Sequence, residues 1–161
     1  MISNISLTII LMMVIITNSH GQDLRKPNFS GTWKVDITRS DFGPFPRPKA
    51  FVRTIRQDGI YLEITDEAVD RDGRRGVEVL RLTLDGEESI NDVNGSKVSG
   101  VARAIGSHVL TQTSHESGGT RFVVYEIWGL SNAGETLIVE GEVASSMGEE
   151  DIFVVLNRHA Q

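Results

Sequence analysis

The chain has 161 residues, no cysteine and a formal net charge of −6, from 22 acidic against 16 basic side chains. The lack of cysteine excludes a disulfide, a thiolate metal site and a cysteine nucleophile. An acidic balance with dispersed basic residues argues against general nucleic-acid binding, which needs a basic face to neutralise phosphates.

Residues 1–17 hold no charged side chain and include the apolar run 7–16. A helix needs ~20 apolar residues to cross a bilayer, so this run is too short to span one. The polar stretch 18–22 follows, with small residues Ser19 and Gly21 placed as before a signal-peptidase cut. Residues 1–21 are therefore expected to be a signal peptide, cleaved after Gly21. The competing reading is an uncleaved anchor or a misassigned start, since the segment lacks the usual Lys or Arg. Residues 22–161 are then a single exported domain, secreted or periplasmic and not membrane-spanning after cleavage, long enough to bury a core without staples.

Beyond Asn28 the chain is a series of short runs rich in Thr, Val and Ile, which suit a pleated, half-buried surface. They predict strands over 30–37, 51–57, 60–66, 77–84, 88–93, 97–105, 108–115, 120–130, 135–143 and 151–157. Between them stand Asp58-Gly59, Asp72-Gly73, Asp85-Gly86, Asn94-Gly95, Gly118-Gly119 and Asn132-Ala133-Gly134. Such dipeptides favour hairpins, because type I′ turns need positive φ at both central residues. No window shows sustained helical periodicity with caps. Leu80, Leu82 and Leu84 share one face, which Glu78 begins, and Leu137, Val139, Gly141 and Val143 share another. Alternation implies one face packed and one in water. The expectation is an all-β, up-and-down antiparallel barrel of about 8–10 strands, because closure removes the exposed edges of an open sheet. A sandwich is the alternative, and it would need longer crossovers.

Strand parity gives the barrel a direction. Connections after even strands are short, whereas those after odd strands include the longer segments 38–50, 67–76 and 144–150. A tight-turned floor and a loop-rimmed mouth follow. Trp33 and Trp128, with Gly31, are expected at the floor, the tryptophans as plugs. The mouth is where binding is expected, since loops on a rigid scaffold commonly carry it. Its candidate ligand-binding residues are Phe42 and Phe45, set among prolines, and Arg71, Arg74 and Arg75. The arginines have the geometry to hold an anionic head group, or else form a solvated loop balanced by Asp70 and Asp72. The phenylalanines form either an apolar lid or part of the rim core.

His108 and His115 lie seven apart on one strand and point to opposite faces, which gives no metal site. No nucleophile elbow occurs, and Glu140 with Glu142 read as a solvent face. No catalytic residue, metal or cofactor is expected. Arg103, Arg121 and Tyr125 stay open as interior candidates, because 120–130 is apolar on both faces.

The segment Asn28-Phe29-Ser30-Gly31-Thr32-Trp33-Lys34 resembles the first strand of the fatty-acid-binding protein and lipocalin families, and Gly-Thr-Trp also opens avidin-like barrels. Its continuation through Ser40-Asp41-Phe42-Gly43-Pro44, with Trp128 and Glu135-Thr136-Leu137, is similar to a group of small secreted bacterial lipocalin-like proteins. The resemblance implies a small antiparallel barrel and an apolar ligand. Two departures stand out. Where the intracellular fatty-acid binders insert a helical lid, this chain has Gly43-Pro44-Phe45-Pro46-Arg47-Pro48, which cannot be helical. Their C-terminal Arg and Tyr have only a loose match at Asn157-Arg158-His159, so carboxylate recognition does not carry over.

Three function classes remain. The first is a non-enzymatic barrel binding a small apolar or amphipathic ligand. The second is a solid barrel acting as an envelope-associated interaction module. The third is a cavity enzyme of isomerase or cyclase type, which would require inward polar groups with perturbed ionisation.

Overall fold

A computed structural model describes residues 27–160; the expected signal peptide lies outside them. Ten strands follow in chain order: β1 (Gly31–Val35), β2 (Ala50–Asp58), β3 (Tyr61–Val69), β4 (Arg75–Thr83), β5 (Asp85–Val93), β6 (Ser96–Ile105), β7 (His108–Ser117), β8 (Thr120–Ser131), β9 (Thr136–Ser145) and β10 (Gly148–Arg158). Among the described residues the one helical element is a 3-10 turn, Asn132–Gly134. The strands form one antiparallel sheet in the order β4-β3-β2-β1-β10-β9-β8-β7-β6-β5. β1 therefore joins the two ends of the chain, with Trp33 opposite Arg53 on one side and Arg158 on the other. The sheet curls until its outer strands β4 and β5, consecutive in sequence, face each other as a nearly closed barrel.

The turns form for the local reasons read from the sequence. Asn94 and Gly95 have φ of 52° and 83°, the paired positive values of a tight hairpin that an Asn-Gly pair adopts at low cost. One expected hairpin differs. β4 and β5 share no continuous ladder, and the β5–β6 register shifts between Asp85 and Glu88. The Asp85 carboxylate accepts from the Thr83 hydroxyl and the Glu87 N–H, a side-chain-stabilised turn that sends the chain across the gap.

Two of the three long mouth loops are also shorter than the sequence suggests. β3 and β4 pair as far as Val69 opposite Arg75, and β9 and β10 as far as Ser145 opposite Gly148. The small and charged residues there continue the strands, because the exposed end of a ladder tolerates both. Segment 36–49 alone remains long. It runs beside β10, where Asp41 and Phe153 exchange backbone hydrogen bonds of 2.7 and 2.9 Å. It contains no helix.

The inner face carries the core. Phe29, Trp33, Ile55, Leu62, Leu82, Val109, Trp128, Leu137 and Leu156 are buried together, and Val124, Val143 and Ile152 form a smaller cluster nearer the other end.

Candidate functional site

The alternation that buries the core also carries charge inward. Arg53 stands two residues before Ile55 on β2, Asp66 two after Ile64 on β3, Glu78 two before Leu80 on β4, and Glu126 two before Trp128 on β8. Each must share the face of its neighbour at the strand period of two. Together they line a chamber of about 340 Å³, with Thr113 and His115 of β7 and apolar walls that include Leu80, Val139 and Leu156. Phe42, Phe45, Phe51 and Phe122 lie toward the end served by segment 36–49.

Arg53 is the centre of the charged layer. Its Nε donates to Asp66 Oδ1 at 2.8 Å and its Nη2 to Asp66 Oδ2 at 2.7 Å, a two-pronged pair. Its Nη1 lies 3.9 Å from Glu126 Oε2. The guanidinium also sits 5.1 Å from the Trp128 ring centroid and 5.8 Å from that of Phe51, within cation–π range. Burial alone would pull the guanidinium down; the charges of Asp66 and Glu126, the hydrogen bonds to Asp66 and the charge of Glu78 outweigh it and hold Arg53 above the ordinary arginine value. Glu126 Oε2 accepts from Trp128 Nε1 at 2.9 Å and from Thr111 Oγ1 at 3.2 Å.

Glu78 differs from the other two acids. No hydrogen bond or ion pair among the described residues engages its carboxylate. Partial desolvation, then the charge of Asp66, raises it above the ordinary glutamate value, and Arg53 offsets this only in part. The His115 ring stacks on Phe122 at 5.0 Å, and its Nε2 lies 2.9 Å from Thr113 Oγ1. Burial, which favours the neutral ring, lowers it below 6.5, and the charge of Glu126 opposes this only in part.

These shifts have opposite consequences for stability. The folded chain keeps a proton on Glu78 that the unfolded chain has released, so Glu78 destabilises the fold as pH rises from 4.5 through its raised value. His115 destabilises it as pH falls from 6.5 toward its lowered value. The melting temperature of Glu78→Gln should therefore exceed that of the parent at pH 7, with the difference shrinking toward pH 4. Equal differences at both pH values would contradict this account.

Of the mouth residues expected from sequence, Phe42 and Phe45 line the chamber, and Phe45 meets Phe122 edge-on at 5.8 Å. Arg71, Arg74 and Arg75 do not. They lie at the exposed β3–β4 turn, where Arg74 reaches Asp72 at 3.1 Å and Asp70 at 3.9 Å. Trp33 and Trp128 are both buried beside Phe29, whose carbonyl accepts from Trp33 Nε1 at 3.0 Å and whose ring meets Trp128 edge-on at 6.0 Å. Gly31 admits the Arg158 guanidinium, which a Cβ would approach to 2.5 Å and which covers the Trp33 ring at 4.2 Å. Arg103, Arg121 and Tyr125 are exposed on the outer face. Arg53, Asp66 and Glu126 were not among the expected site residues, although Ile55 and Ile64 fix the parity of Arg53 and Asp66. Among the described residues no group of three or more His, Asp or Glu is arranged to hold a metal ion.

The fold and site define a nearly closed, ten-stranded, up-and-down antiparallel barrel of the lipocalin and fatty-acid-binding-protein type, with a chamber that is apolar at its mouth and ionic below. Among solved structures the chain is similar to the zebrafish ileal bile acid-binding protein complexed with cholic acid, at 13% identity and a TM-score of 0.47, over 81% of this chain and 98% of that one. It is equally similar to human cRBP IV, at 13% identity and a TM-score of 0.47, over 82% of this chain and 98% of the other. No protein-family model and no curated protein sequence matches it.

Proposed function

We propose that the protein is an exported, non-enzymatic barrel, secreted or periplasmic, that binds a small amphipathic molecule in its chamber. The apolar part of the ligand lies against Phe42, Phe45, Phe51 and Phe122, and its polar end meets the layer of Arg53, Asp66, Glu78 and Glu126. The observation that carries this reading is the chamber itself: about 340 Å³ of space inside a packed barrel, apolar-walled, with a few convergent polar groups. Export is supported by the apolar segment 7–16 and the small residues at Ser19 and Gly21. Trp33, Trp128 and Gly31 serve as the floor. The β3–β4 arginines stand at the rim, where they meet an arriving ligand and not a seated one.

The test is titration with the neutral probe N-phenyl-1-naphthylamine, whose fluorescence rises in apolar surroundings. Saturable uptake is expected, weakened several-fold by Phe45→Ala, since losing the contact of a partly exposed aromatic ring is worth about 1 kcal/mol. Arg71→Ala should leave it unchanged. Absence of uptake, together with no small molecule recovered on organic extraction of the purified chain, would overturn the reading.

One observation favours a second reading, a cavity enzyme of isomerase or cyclase type: Glu78 and His115 line the same chamber with ionisation displaced in opposite senses. Chemical change of an extracted ligand on incubation with the protein, detected by mass spectrometry, separates it from simple binding.

A further inference from the structure

We propose that the chamber selects amphipathic ligands with a positively charged head, such as an alkylammonium group, and discriminates against carboxylates. This rests on the binding reading above and specifies its ligand class.

The argument is one of charge and free valence. One guanidinium faces three carboxyl groups in the chamber, those of Asp66, Glu78 and Glu126. Arg53 is already committed: Asp66 takes two of its N–H groups in the paired geometry that a ligand carboxylate would need, and Glu126 stands on its Nη1 side. An incoming carboxylate would have to displace a neighbour that is covalently tethered in place. It would also enter a space where negative charge already exceeds positive, and like charges at short range disfavour one another strongly. His115 supplies no compensating charge while its ring is neutral.

Acceptor capacity, by contrast, remains. Glu78 makes no hydrogen bond or ion pair among the described residues, and Glu126 meets Thr111, Trp128 and Arg53 through Oε2 alone, leaving Oε1 as an acceptor. An ammonium head brings three N–H donors, a match for oxygens of this kind. Its positive charge balances the excess of carboxyl groups over the single guanidinium. The apolar chain then extends along the walls toward Phe42 and Phe45.

The experiment is displacement of bound N-phenyl-1-naphthylamine at pH 7 by n-octylammonium, n-octanol and n-octanoate, which share a chain and differ in head group. The ammonium is expected to displace the probe at about tenfold lower concentration than the carboxylate, with the alcohol between them, because one charge-assisted hydrogen bond corresponds to about that factor. Glu78→Gln, on an edge strand, should narrow the gap between ammonium and carboxylate. Asp66→Asn, which releases the Arg53 fork, should move the preference toward octanoate. Circular dichroism confirms that each variant is folded, and Glu78→Gln alone suffices if Asp66→Asn is not. Equal displacement by the three compounds, or stronger displacement by octanoate, overturns the proposal while leaving ligand binding in place. Failure of the parent protein to take up the probe at all removes the binding reading and this inference with it.

Discussion

Arg53→Ala is expected to destabilise the protein by about 3–5 kcal/mol at neutral pH, the range for removing one partner of a buried ion pair. The Arg53 side chain is 12% exposed and that of Asp66 19%, so neither is well screened by solvent. Truncation leaves Asp66, Glu126 and Glu78 facing one another with no cation between them. It also strips the Trp128 and Phe51 faces of the guanidinium that covers them. Urea unfolding is the appropriate measurement: the midpoint should fall with little change in slope, since the surface exposed on unfolding is nearly the same. The deficit should shrink on acidification, because protonating the stranded carboxyl groups removes the buried negative charge. A loss below about 1 kcal/mol would place the pair in the class of solvated surface bridges and contradict the burial described here.

The pair itself is a different matter from its breakage. Two charges taken out of water lose hydration that their mutual attraction need not restore in full, and an apolar pair of similar volume is often as stable. Arg53→Met combined with Asp66→Leu should therefore recover much of what either single truncation loses, a coupling readable in a double-mutant cycle. That variant would keep the barrel and lose the ionic layer. If stability returns while probe binding turns indifferent to head-group charge, the network serves recognition more than folding.

The fold was legible in the sequence because its signals are local. Turn dipeptides at Asp58-Gly59, Asn94-Gly95 and Gly118-Gly119 separate strands whose apolar residues alternate, and all ten predicted runs are strands in the structure. What was less legible depends on contacts distant in sequence. The ends of β3, β4, β9 and β10 carry charged or small residues such as Glu67, Arg75, Ala144, Ser145, Glu149 and Glu150 and read as loops, yet pairing extends through them because their partners lie directly across the ladder. The ionic layer was harder still. A charge in an alternating strand ordinarily marks the solvent face, and Arg53 or Asp66 looks like any outward residue until its parity with Ile55 or Ile64 is counted. On β8 parity cannot be read at all: Phe122 and Val124 face inward while Tyr125 and Ile127, 43% and 48% exposed, face out, and all four are apolar or aromatic. There Glu126 and Trp128 acquire a side only from pairing, with Trp128 opposite Val109 and Val139.

The gap between β4 and β5 shows how a side chain can substitute for a missing ladder, and Asn91→Ala measures its worth. Asn91, two residues from the end of β5, is 8% exposed. Its Oδ1 accepts from the Arg81 N–H at 2.7 Å and its Nδ2 donates to the Arg81 carbonyl at 3.1 Å. The amide therefore occupies the place of a peptide group on the neighbouring strand, meeting both backbone valences of one β4 residue where regular pairing is absent. A weaker stitch follows along the same seam, from Asn94 Nδ2 to the Val77 carbonyl at 3.5 Å. Alanine at 91 leaves an N–H and a C=O of Arg81 without their partner, each costing about 1–3 kcal/mol when buried, so a loss of about 2–4 kcal/mol is expected after some relief by entering water. Glutamine should not rescue it, because the added methylene moves the amide out of register with a fixed backbone. The distinguishing readout is hydrogen exchange at the Arg81 amide, which should accelerate far more than amides of the fully paired β9–β10 ladder. Uniform acceleration across the barrel would mean that Asn91 acts on global stability alone, and the seam would then need another explanation for staying shut.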